Sequence, residues 1–97
     1  MATMETLLEF LKQVDAFEMR DCNARLLNNN QNKRIREFVE EVSAIANEVL
    51  FGSKGECLWD QHEILEEAGY HVFAGETDRF GWLMGCIQTK KGVIVYG

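Results

Sequence analysis

FGWLMGCIQTKKGVIVYG, residues 80–97, decides the fold. It reads as two strand-forming runs about Lys90-Lys91-Gly92, which suits a type I turn followed by a glycine bulge. With that turn Thr89 faces Val93, Gln88 faces Ile94, Ile87 faces Val95 and Cys86 faces Tyr96. Side chains alternate across a sheet. One face then carries Leu83, Ile87, Val93 and Val95, and the other Trp82, Met84, Cys86, Ile94 and Tyr96. Both faces are apolar, and one layer of helices covers only one of them. Burying one such side chain is worth roughly 1.5–3 kcal/mol. A bare second face forfeits several times that and invites aggregation. The ribbon therefore calls for a second cover, either a third helix or another copy of the chain.

Upstream, the apolar period is helical. Thr3 can cap a helix with Met4, Leu7, Leu8, Leu11 and Val14 on one stripe, widened by Phe10 and Phe17. The pattern blurs between Val14 and Arg20. Asp21 can cap a short segment over 22–27, which the run Asn28-Asn29-Asn30 ends, since asparagine tolerates left-handed backbone. The clearest helix follows, capped by Asn30 or Asn32. It carries Ile35, Phe38, Val39, Val42, Ile45, Ala46 and Val49 on one face, and Gly52 is its expected left-handed terminator. A third helix is expected from near Leu58 to Ala68, with Leu58, Ile64, Leu65 and Ala68 inward. Gly69 ends it and Tyr70-His71-Val72-Phe73 begins a strand. Gly75-Glu76-Thr77-Asp78 reads as a polar loop. The expected fold is α+β over one domain, 1–97. Three to four N-terminal and central helices pack on a small three-stranded antiparallel sheet that ends in a C-terminal β-hairpin. The first two helices cover one sheet face.

Size and charge narrow the function. A chain of 97 residues buries only ~60–65% of its unfolded surface, so an oligomer interface would help it. The net charge of −6 argues against direct affinity for nucleic acid or anionic membrane, both of which need cations to displace counterions. No apolar run approaches membrane-spanning length. MATMETLLEFLK lacks the basic start and small-residue cleavage site of a secretory signal. Cys22, Cys57 and Cys86 are odd in number and unpaired in spacing, which fits reduced thiols in a cytoplasm. The chain has no proline, so its turns fall to Gly, Asn, Asp and Lys.

The charges are unevenly placed. Between Glu56 and Asp78 there are seven acids and no Lys or Arg. Glu56, Asp60, Glu63 and Glu67 recur every three or four residues, so on a helix they share one face and repel by a few tenths of a kcal/mol per pair. Such a stripe is either a solvated helix face or a negative surface for a basic partner. Trp59 beside it is a candidate anchor, or simply a core tryptophan. The loop over 75–82 brings Glu76, Asp78, Arg79 and Phe80 together, and Arg and aromatics are the usual interface anchors. The opposite sign gathers in Arg20, Arg25, Lys33, Arg34 and Arg36. Three of these sit at the start of the second helix, where cations cost ~0.3–1 kcal/mol each unless an anion or a pairing acid offsets them. Lys33 with Glu37 and Arg36 with Glu40 have the pairing spacing.

Catalysis has little to work with. Cys22, Cys57, Cys86, His62 and His71 are the candidates for a cysteine nucleophile with a base. Their spacing matches no zinc site, and a strand cysteine such as Cys86 is usually inert. Gly52-Ser53-Lys54-Gly55 lacks the spacing and preceding strand of a phosphate loop. No metal or cofactor is implied. In compactness, acidity and lack of catalytic motifs the chain resembles small phage-encoded inhibitors, a likeness of style that carries no residue with it.

The leading expectation is a small, acidic, cytoplasmic, non-enzymatic protein. It binds and inhibits a larger partner with a basic surface, such as a nucleic-acid-processing or defence enzyme. Partner contacts fall to Glu56, Trp59, Asp60, Glu63, Glu67, Glu76, Asp78, Arg79 and Phe80. Self-association through the C-terminal sheet gives a homodimer. The first alternative is a small-ligand or nucleotide-binding oligomer, with Lys33, Arg34 and Arg36 as the anion site. The second is a small cysteine-dependent enzyme.

Overall fold

The computed structural model describes residues 2–18, 26–52, 56–77 and 83–97, with backbone only at 74–77 and 83. Three α-helices precede three strands among them: α1 Met4–Asp15, α2 Lys33–Leu50, α3 Trp59–Glu67, β1 His71–Thr77, β2 Leu83–Gln88 and β3 Val93–Tyr96. The expected α+β architecture holds at that level. A 3-10 turn, Leu27–Asn29, stands between α1 and α2. The short helix expected over 22–27 falls mostly outside the described residues.

α1 begins where Thr3 predicts, its hydroxyl accepting from the Thr6 amide at 3.2 Å. Its stripe buries Leu7, Leu11 and Val14. Asn32 caps α2, its Oδ1 accepting from the amides of Arg34 at 3.0 Å and Ile35 at 3.4 Å. α2 buries Ile35, Val39, Val42, Ala46, Val49 and Leu50 along one face. Phe38 joins the two helices, its ring 5.1 Å from Phe10 and 5.2 Å from Phe17 between centroids.

The helix ends divide the two glycines. Gly69 takes a left-handed φ of 99°, as its place after α3 predicts. Tyr70 donates its amide back to the Leu65 carbonyl and Gly69 to that of Glu66, both at 3.0 Å. That pair of bonds is a Schellman closure, which only glycine enters without strain. Gly52 does not end α2 in this way. Phe51 turns the chain out in extended conformation (φ −115°, ψ 139°) and bridges to Cys57. Gly52 has no positive φ. A Cβ there would collide with the Glu56 carboxylate.

The sheet order is β1-β2-β3, antiparallel throughout. Its register differs by one residue from the expected hairpin. Gln88 pairs with Val93, Ile87 with Ile94, Cys86 with Val95 and Gly85 with Tyr96. The cause lies in Thr89. Its hydroxyl donates to the Gly92 carbonyl (2.8 Å) and accepts from the amides of Lys91 (3.2 Å) and Gly92 (3.1 Å). Thr89 and Gly92 thus close the turn themselves, leaving Lys90 and Lys91 at its tip. A one-residue slip exchanges faces. Ile94 and Tyr96 therefore join Ile87 on the inner side, and Val93 and Val95 move out to join Met84 and Cys86. β1 also runs further than expected. Gly75, Glu76 and Thr77 belong to the strand, with an irregularity in pairing between Ala74 and Glu76.

All three helices pack on the inner side. Ile87 and Ile94 are fully buried in one core with Leu7, Leu11, Val39, Leu50 and Leu65, and Val72 packs against it. α3 also belongs there, because His62 reaches the Tyr96 hydroxyl. The option that the third helix covers the second sheet face is thus removed. The outer face carries His71, Phe73, Met84, Cys86, Gln88, Val93 and Val95. Its apolar members are outside the core cluster and its partly buried fringe, and Phe73 is 54% exposed.

Side chains cap backbone groups on both outer strands. On β3 the Asn28 amide donates to the Val95 carbonyl at 2.9 Å, and its oxygen accepts from the Val95 amide at 2.8 Å. On β1 the Glu66 carboxylate accepts from the Val72 amide at 2.8 Å. These bonds occupy backbone groups that would otherwise template another strand.

Candidate interaction surface

α3 is short, and its inward face is narrow. His62 and Leu65, three residues apart, are the buried pair. This corrects the expected inward set. Leu65 is fully buried, but Leu58 is only partly so, Ala68 is exposed and Ile64 is 41% exposed. Trp59, at the start of the helix, is 60% exposed. Its ring rests against His62 with centroids 5.2 Å apart. Beside it lies a groove of about 370 Å³ lined by Cys57, Leu58, Trp59, Asp60 and Gln61. The Gln61 Oε1 atom is buried with no hydrogen-bond partner among the described residues.

Asp60, Glu63 and Glu67 are all exposed on α3, as the spacing predicts. Glu56 is also exposed, but it precedes the helix and sits beside Gly52, so it does not extend the stripe. Two acids on α3 have a task in the fold. Asp60 stands in the first turn, where the helix dipole favours a carboxylate. Glu66 caps β1 and also meets His71 Nδ1 at 3.0 Å. The Val72 amide, then the His71 contact, pull the Glu66 carboxyl below its ordinary value. Glu63 and Glu67 have no such task among the described residues. They are like charges four apart, and Glu67 ends the helix, where the dipole disfavours it. Of the remaining expected contacts, Glu76 lies in β1 opposite Met84. Asp78, Arg79 and Phe80 lie outside the described residues.

The basic start of α2 is engaged locally. Lys33 pairs with Glu37 at 3.8 Å, as expected. Arg36 turns the other way, its Nη1 donating to the Asn30 carbonyl at 3.0 Å. Asn32 takes the amides of Arg34 and Ile35 that an anion would use. Arg34 is exposed.

The histidines have structural partners. His62 Nδ1 lies 2.8 Å from the Leu58 carbonyl, so that nitrogen carries the proton and donates. Its Nε2 is 3.2 Å from the Tyr96 hydroxyl. Burial raises the Tyr96 phenol well above its ordinary value, and nearby Cys57 and Cys86 add to the effect. His71 is exposed and stacks edge-on against Phe73 with centroids 4.3 Å apart. Among the described residues no three His, Cys, Asp or Glu side chains gather as metal ligands. No described helix is long and apolar enough to cross a membrane.

A second cleft, of about 510 Å³, lies where the end of α1 meets the hairpin tip and the α3–β1 turn. Asp15 holds it together, accepting from the Tyr70 hydroxyl at 3.0 Å and the Lys90 amide at 2.9 Å. Burial first, and then Asp15, push the Tyr70 phenol up to about 12.

Sequence reasoning missed Ile64 and Phe73 as surface residues. The signal for Phe73 was strand alternation from Val72. For Ile64 it was the alternative inward pair His62 and Leu65. No family model, curated protein or solved structure matches this chain.

Proposed function

We propose that the chain is a non-enzymatic interaction protein that binds and blocks a larger partner through the outer surface of α3. The reading is carried by Trp59, 60% exposed at the head of a helix whose acids face water. A tryptophan buries up to ~250 Å². Covering the exposed part therefore returns up to about 4 kcal/mol at ~25 cal/mol per Å², enough for one anchor residue. Glu63 and Glu67 cost the helix a little and serve nothing else among the described residues, which supports a role toward a partner of opposite sign. A basic surface of the kind that holds nucleic acid has that sign. The partner class is then a nucleic-acid-processing or defence enzyme whose cationic groove this face occupies.

Charges of this kind act mainly on association rate and are screened by salt, whereas the aromatic anchor acts on dissociation. The test separates the two. Glu63→Lys with Glu67→Lys lowers the association rate and flattens its salt dependence. Trp59→Ala speeds dissociation by about tenfold or more. Unchanged affinity and salt response in both variants removes α3 as the contact.

A further inference from the structure

We propose that the outer face of the sheet is the interface of a back-to-back dimer of this chain. The two-fold axis lies close to β2, so that Phe73 of each copy seats over Val93 and Val95 of the other.

Four observations select a second copy. First, the face is apolar and stands apart from the described core: Phe73, Met84, Val93 and Val95 do not belong to it, and Phe73 is 54% exposed. Second, the β3 edge is closed by Asn28 on Val95, and on β1 the Val72 amide is already taken by Glu66. Strand addition is thus blocked at β3 and hindered at the start of β1, which favours face-to-face contact. Third, the face is self-complementary in shape. The row Phe73–Cys86–Val95 runs from large to small across the sheet, and His71–Gln88–Val93 does the same. A two-fold along the middle strand lays β1 over the partner's β3, which sets each large side chain on a small one. Fourth, charge favours this face over the others. Each copy carries −6, and Asp60, Glu63 and Glu67 lie on the helix side. Two sheets packed ~10 Å apart, each backed by a helix layer of about 10 Å, hold those acids beyond the ~8–10 Å screening length. Pairing through α3 would instead set like charges together.

The area predicts a weak dimer. Three strands ~4.8 Å apart and about six residues long, at ~3.4 Å per residue, span roughly 14 by 20 Å. With side-chain relief, two such faces hide on the order of 800–1,000 Å² in total, below the ~1,200 Å² of standard stable interfaces. Dissociation in the micromolar range or weaker follows. Because α3 faces away from the interface, the dimer presents two copies of the Trp59 surface, and binding to a clustered partner gains avidity.

Sedimentation velocity over a concentration series tests this. The wild-type chain moves from monomer to dimer with rising concentration, and added salt does not weaken the dimer. Phe73→Asp, at an exposed position, keeps the circular dichroism spectrum and weakens the dimer at least about tenfold. Cys86 lies close to the axis. A short bis-maleimide crosslinker, adding one thiol across each double bond, therefore gives a covalent dimer that persists in Cys57→Ser and disappears in Cys86→Ser. Trp59→Ala and the Glu63/Glu67 reversal leave association unchanged, which keeps this result separate from the reading of α3. A monomer at every concentration, a dimer indifferent to Phe73→Asp, or a crosslink that survives Cys86→Ser overturns the proposal. So does a foreign protein whose capture by the monomer depends on Phe73.

Discussion

Asn28 is the residue whose loss should be felt furthest from its place in the chain. Its amide pairs with both backbone groups of Val95, 67 residues away, at 2.9 and 2.8 Å. Asn28→Ala removes both bonds. The Val95 carbonyl keeps a second donor, the Ser43 hydroxyl at 2.8 Å, so its loss is partial. The Val95 amide has no such reserve and is left without its acceptor on a half-buried strand. Two bonds of about 1 kcal/mol each give a destabilisation of about 2 kcal/mol. For a domain of this size that lowers Tm by roughly 8–16 °C. Asn28→Asp is the sharper variant. A carboxylate still accepts from the Val95 amide but offers no donor to the carbonyl, so it should rescue only part of the loss. Combining Asn28→Ala with Ser43→Ala strips the carbonyl of both donors, and the pair should cost more than the sum of the single changes. Thermal unfolding by circular dichroism measures all of these. A fall of less than ~3 °C for Asn28→Ala, or additivity in the double variant, would refute the view that this amide holds the strand edge.

Two buried phenols, Tyr70 and Tyr96, should set the pH response on the alkaline side. The Tyr70 pKa, raised to about 12 from its ordinary 10.0, means the native state holds that proton longer than the unfolded chain. Stability is therefore complete below pH 10 and declines as pH rises toward 12. Tyr70→Phe should flatten that decline in urea unfolding measured across the range. On the acid side Glu66 has the reverse sign. Its lowered pKa gives stability that is present above the ordinary 4.5 and lost as pH falls through the folded value, so Glu66→Gln should reduce the acid sensitivity of unfolding. The glycines should separate in kind. Gly69→Ala meets nothing within 4 Å and suffers only from φ 99°, a cost of about 1–2 kcal/mol. Gly85→Ala drives a Cβ into the Tyr96 ring and the Phe73 carbonyl, costs about 2–3 kcal/mol, and should also disturb the near-ultraviolet tyrosine signal.

Local rules carried the fold a long way. Thr3, Asn32 and Gly69 each mark a helix end by chemistry contained within a few residues, and each does so in the structure. The apolar stripes of α1 and α2 exceed three turns, so their period is unambiguous. The errors fall where a distant group or a short element decides. Thr89 moved the hairpin register by closing the turn onto Gly92 with both its amide and its hydroxyl. Phe51 left α2 in extended conformation to pair with Cys57, and so took the terminating role from Gly52. α3 spans nine residues, too few for the period to distinguish an inward Ile64 from an inward His62. That choice rests on the Tyr96 hydroxyl across the core. The acidic stripe was legible because charge spacing is local. The exposure of Trp59 was not, because it depends on how α3 rolls against β3. The edge roles of Asn28 and Glu66 left no trace in spacing at all.

The proposed role presents the outer surface of α3 to a basic partner. Immobilised wild-type chain and a Trp59→Ala/Glu63→Lys/Glu67→Lys variant, each presented to extract of the native cell and read by quantitative mass spectrometry, test it most directly. A basic protein retained by the wild type, released as salt rises and absent from the variant, is the predicted result. The same protein held equally by both baits would contradict the claim, as would a wild-type bait that retains nothing beyond the blank support.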